Sequence, residues 1–270
     1  MDLVLRLDVR RYRETMGPNP EQSLGKIWQE FLLDWSGAAP NSTWIAPTVA
    51  AADTLWLGCR LGTGGCKDFV AVLRGRFVSA RESYGFGPDK NERDLGGGWL
   101  SYDRETAERA TIARVYLRAP ELAILVSSAE VDSAERCVEK SAIGTELVPR
   151  ESGLLSVMVR SHALANAMRP RSTKAADWLD ASERVEIRVE PQATQTLLTF
   201  AVTFRDATRA ERAAQALKIL MLALTRFEPK LKSGDVRIEQ LENDVVLRLG
   251  IAGNGPTLPQ APSADDPSGQ

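Results

Sequence analysis

The chain has 270 residues, 43% hydrophobic and 26% charged, with 34 Lys and Arg against 36 Asp and Glu for a formal charge of -2. That fits an ordinary globular protein of one large domain or two moderate ones, with material for a real core. Near-cancelling charge excludes a global field toward nucleic acid, and no apolar run approaches the roughly 18 residues that cross a bilayer.

Leu3, Leu5 and Leu7 alternate with Val4, Arg6 and Asp8, predicting a strand that ends near Val9. A helical turn or two follows through Tyr12 and Met16 and stops at Gly17-Pro18. A second helix is expected from about Glu21 to Trp35, with Leu24, Ile27, Trp28, Phe31, Leu32 and Trp35 on one stripe; residues 37–47 then read as a loop. Thr54 to Arg60 and Asp68 to Phe77 read as a hairpin around a glycine-rich turn. Ser79 to Gly98 reads as a long loop or degenerate helix, and Gly96-Gly97-Gly98 as a flexible loop. Trp99 to Tyr102, Thr111 to Arg118 and Leu122 to Ser127 look like strands. Glu130 to Lys140 looks like a helix with Val131, Ala134 and Val138 inward.

From Leu154 the plan starts again. A strand to Arg160 leads to a helical stretch, Ala163 to Asp180, broken at Pro170. Ser161 is expected to cap it, with His162 on its first turn. Val185, Ile187 and Val189, then Leu198, Phe200, Val202 and Phe204, fall at every second position, an antiparallel hairpin with one buried side. From Ala210 the period changes, with Ala213, Ala214, Leu217, Leu220, Met221 and Leu224 on one helix face. Thr208 and Glu211 have the spacing of a capping box. Strands near Val236 to Leu241 and Val245 to Ile251 follow, and residues 253–270 read as a disordered tail.

The restart looks like an internal repeat. Without a gap, Leu3 falls on Leu155, Leu5 on Val157, Leu7 on Val159, Met16 on Met168 and Pro18 on Pro170. The expected fold is α+β: two related β-α-β-β-type units, residues 1–150 and 151–252, with antiparallel sheets and helices packed on one face.

The carrying phrases are the strand running into a short helix (Asp2 to Met16), Ala52-Asp53-Thr54-Leu55-Trp56-Leu57, Phe69 to Phe77, and Leu122 to Glu135. With this order of elements the chain resembles bacterial envelope lipoproteins that carry a domain of unknown function. The resemblance implies export and lipid attachment near the membrane, and supplies no reaction. This chain shows neither a signal segment nor an N-terminal lipid-bearing cysteine. A core strand starting by Leu3 mildly favours a trimmed start. Periplasm or outer surface is therefore the expectation, with cytoplasm the alternative.

Cys59 and Cys66 flank the turn of the first hairpin, where Cα atoms could lie within the roughly 4.4–6.8 Å that a disulfide requires. Export favours that bond and the cytosol disfavours it. Cys137 reads as a small buried hydrophobe. One histidine and three thiols are too few for a zinc site, and no cofactor is expected. Neither Ser161-His162 nor Gly62 to Gly65 has the frame of a triad or a phosphate loop. Arg10, Arg11 and Arg13 follow the first strand; Arg169, Arg171 and Lys174 follow its counterpart. If the halves pack with pseudo-symmetry, these six could flank one groove for an anionic ligand or lipid head groups, although a solvated helix face is the plainer reading. Trp44 and Trp99, beside loops, are candidates for an exposed contact surface. Glu186 and Glu190 share a polar strand face with Arg188 and read as solvated.

The sequence thus reads as a non-enzymatic binding or assembly protein of the bacterial cell envelope. Its expected partner is another envelope protein or an anionic surface, not nucleic acid. The alternative is a hydrolase-like enzyme with a carboxylate-based site in the cleft between the units.

Overall fold

The computed structural model describes residues 1–15, 51–62, 65–77, 92–103, 113–118, 120–140, 153–170, 172–192, 195–227 and 236–252. The expected helix at 21–35, Trp44, Arg171, the tail at 253–270 and the side chains of Cys66 and Cys137 lie outside that description. The chain is α+β. It runs β1 (Leu3–Asp8), α1 (Val9–Thr15), β2 (Ala52–Gly62), β3 (Gly65–Gly75), β4 (Glu92–Gly96), β5 (Trp99–Asp103), β6 (Arg114–Arg118), β7 (Leu122–Val126) and α2 (Val131–Lys140). It continues with β8 (Leu155–Arg160), α3 (Ser161–Met168), α4 (Thr173–Asp180), β9 (Ser182–Pro191), β10 (Gln195–Phe204), α5 (Ala207–Phe227), β11 (Val236–Leu241) and β12 (Asp244–Ala252).

The twelve described strands form one antiparallel sheet in the order β11-β12-β10-β9-β8-β1-β2-β3-β7-β6-β5-β4. Its central joint is the ladder between β1 and β8, where Leu3, Leu5 and Leu7 pair with Val159, Val157 and Leu155. Backbone hydrogen bonds run continuously across this joint, so β1 and β8 leave no cleft between them.

Period two sends alternate side chains to opposite faces, and the leucines of β1 share theirs with Leu55, Leu57, Leu73 and Phe69, all within 1% of full burial. Each such side chain contributes about 1.5–3 kcal/mol relative to exposure. Val9 and Tyr12 of α1 pack on this face, as does Leu164 of α3. Further along, Ala176 and Leu179 of α4 and Ala210, Ala213 and Ala214 of α5 cover Val185, Val202 and Val245. Small residues on the α5 stripe let its backbone approach the sheet. Helix α2 departs from the one-face expectation. Its Ala134 and Val138 pack with Tyr116 and Val126, on the opposite face, because these alternate with Val115 and Leu125 of the main core.

Three local readings are corrected. Residues 92–96 form a strand, and Gly96, Gly97 and Gly98 make the tight turn into β5, with φ of 78°, 61° and 81°. Such angles suit glycine, so the triplet specifies a turn. Helix α5 starts at Ala207; Asp206 Oδ1 accepts from the Arg209 backbone N–H at 2.8 Å, so Asp206 is the cap in place of Thr208. Ser161 lies inside α3, where its Oγ accepts from Ser182 Oγ at 2.7 Å.

Candidate functional site

The two basic clusters follow opposite ends of one strand pair in the chain. Helix α1 leaves β1 beyond the Leu7–Leu155 pair, whereas α3 leaves β8 beyond the Val159–Leu3 pair. Antiparallel pairing starts these two helices from opposite ends of the pair, and Arg171 lies outside the described residues. Their charges are also engaged. Arg10 pairs with Glu14 at 3.5 Å, and Arg11 donates through Nη2 to the Pro191 carbonyl at 3.4 Å. Arg13 Nη2 donates to the Ala52 carbonyl at 3.0 Å and pairs with Asp53 at 3.3 Å. Arg169 spans Asp180 and, at 3.1 Å, Asp177, and these hydrogen bonds, Asp180's first, push its pKa up. Lys174 is exposed on α4. These pairs fasten α1 to β2 and α3 to α4.

Cys59 is disulfide-bonded and fully buried in β2. The β2–β3 register pairs Leu61 with Cys66, two residues along from Cys59, and Leu61 packs against the same core as Cys59. Ser161 and Ser182 serve the fold: the Ser182 hydroxyl, which bonds Ser161, is also placed 2.8 Å from the Leu179 carbonyl. Trp99 is half-buried and packs against the α2 cluster. Among the described tryptophans Trp178 is the most open, 39% exposed and edge-on to Phe204 with centroids 5.7 Å apart.

Register assembles a feature that spacing alone did not reveal. On the face away from α1 and α3, one cross-strand row reads Arg237, Arg248, Thr199, Arg188, Ser156, Arg6, Trp56. Glu186, only 8% exposed and not solvated as expected, lies 3.2 Å from Arg188; Glu239 lies 2.9 Å from Arg248. Arg6 lies over the Trp56 ring, 5.7 Å from its centroid, and donates to the Gly153 carbonyl at 3.3 Å. Three of the four arginines thus have structural partners, and Arg237 stands exposed on the edge strand. A row of alternating polar residues shows only that each faces away from the core; the pairing that aligns them is long-range.

Among the described residues no group of three or more His, Cys, Asp or Glu is placed to hold a metal ion, and no helix is long and apolar enough to cross a membrane. No protein-family model matches the chain, and no curated protein matches it. Among solved structures the chain is similar to crystal form I of TP0453, with a TM-score of 0.54 and 12% identity over 92% of this chain and 88% of that one. Crystal form IV of TP0453 gives a TM-score of 0.50 at 12% identity, over 92% of this chain and 87% of that one. At that identity the likeness is one of fold: an antiparallel sheet with a few helices, shared over nearly the whole of both chains.

Proposed function

We propose that the chain is a non-enzymatic binding or assembly protein of the bacterial cell envelope, lipoprotein-like, built from two related β-α-β-β-type units that share one sheet. Its partner in this reading is another envelope protein or an anionic surface. The observation that carries the compartment is the disulfide at Cys59, since such bonds persist in exported proteins and are rare in the cytosol.

The strand order supports the two-unit reading. Outward from the central joint it runs β1-β2-β3-β7-β6 one way and β8-β9-β10-β12-β11 the other. Corresponding ladders keep corresponding pairs: Leu57 lies between Leu5 and Ala71, as Ile187 lies between Val157 and Phe200. Between the third and fourth strands of each set the units diverge, the first adding the β4–β5 hairpin and the second α5. Ser161 and five of the arginines named above have partners within the chain.

Cell fractionation with in-cell cross-linking tests this. The protein should be recovered with the envelope, linked to an envelope protein or retained on anionic vesicles. Recovery from the cytosol with every thiol open to alkylation would contradict it.

A further inference from the structure

We propose that β11 is a self-association edge, pairing antiparallel with β11 of a second copy about Ile238. β11 ends the sheet, and among the described strands only β12 pairs with it. Its inner register sets Arg237 directly against Arg248 and Glu239 against Val246. Like charges opposed across a ladder are unfavourable. Glu239 relieves this from the side, reaching Arg248 at 2.9 Å while its own side chain stays 41% exposed. Arg237 is left exposed, without a described ion-pair partner.

A second β11 supplies what is missing. Centred on Ile238, antiparallel pairing puts Arg237 against Glu239 of the second copy and Glu239 against its Arg237, on one face of the joined sheet. Val236 then meets Gln240. The register is specific, because a centre one residue either way sets Arg237 on Arg237 or Glu239 on Glu239. An edge left open invites uncontrolled pairing, and a closed two-fold contact removes this edge from use. The inference does not depend on the compartment or on any other partner.

Sedimentation equilibrium of the full chain, at low and high salt, tests it. A dimer is expected, weakening as salt rises. Arg237→Glu should weaken it by about tenfold or more, two attractive cross-strand pairs becoming repulsive. That substitution also replaces the Arg237–Arg248 opposition within each chain by an opposite-charge pair, so the monomer keeps its melting temperature. The swap Arg237→Glu with Glu239→Arg recreates both intermolecular pairs and should restore the dimer. A monomer at every concentration, a dimer indifferent to Arg237→Glu, a swap that restores nothing, or open-ended oligomers would each overturn the proposal.

Discussion

Leu5 faces Val157 across the β1–β8 ladder, and two residues either way Leu3 meets Val159 and Leu7 meets Leu155. The gapless overlay of the two halves sets Leu3 on Leu155, Leu5 on Val157 and Leu7 on Val159. Pairs that exchange in this crosswise manner are those that two related units meeting about a two-fold axis at Leu5–Val157 would form. The joint is also a buried part of the core.

Leu5→Ala should therefore cost about 2–5 kcal/mol, the range for emptying a buried leucine site. Because the ladder is shared, circular dichroism and tryptophan fluorescence should follow one common transition in denaturant. Separate transitions for the two halves would show that they fold independently.

The buried serine pair behaves asymmetrically. Ser161→Ala removes an acceptor but leaves the Ser182 hydroxyl beside the Leu179 carbonyl, a loss of about 1 kcal/mol. Ser182→Ala strands both the Ser161 hydroxyl and that carbonyl and should cost more, about 1–3 kcal/mol. Urea midpoints of the two variants check the order.

The hydroxyl of Tyr12 is buried in α1 without a hydrogen-bond partner among the described residues, and desolvation raises its pKa above the usual value. The unfolded chain ionises first as pH rises through about 10, so stability is intact below that point and declines above it. Tyr12→Phe removes both effects. It should be neutral or stabilising by about 1 kcal/mol at pH 7, with a shallower loss on the alkaline side, read from melting temperature against pH.

Glu130, 2% exposed in the 3-10 turn before α2, has Arg60 of β2 as its ion-pair partner at 2.9 Å. Arg60 is itself 58% exposed on its side chain, so solvent screens part of the pair. Arg60→Ala should cost about 1–3 kcal/mol, chiefly because a buried carboxylate loses its counter-charge. Adding Glu130→Gln should recover part of that loss. A double-mutant cycle that closes to zero would mean that the two groups are uncoupled.

The strands of the second half were legible because one face of each is apolar: Val185, Ile187 and Val189 with Phe200, Val202 and Phe204 fix period and face together. Helix α5 was legible from Ala213, Ala214 and Leu217, but not its cap, since Asp206 and Thr208 are both good capping residues and only geometry chooses. Strand β4, Glu92–Gly96, carries no apolar alternation and is exposed throughout, so nothing in its composition marks it as a strand. The basic clusters follow β1 and β8 in the sequence, and only the antiparallel pairing of those strands reveals that α1 and α3 start from opposite ends. The arginine row depends on registers between strands far apart in the chain, which no local pattern encodes.

The bond at Cys59 decides between an envelope and a cytosolic protein. Intact mass of the native protein without reductant, followed by peptide mapping, tests it directly. The predicted result is a two-proton deficit that reduction reverses, with Cys59 linked to Cys66 and Cys137 free. Three freely alkylated thiols in native protein from the envelope fraction would contradict it.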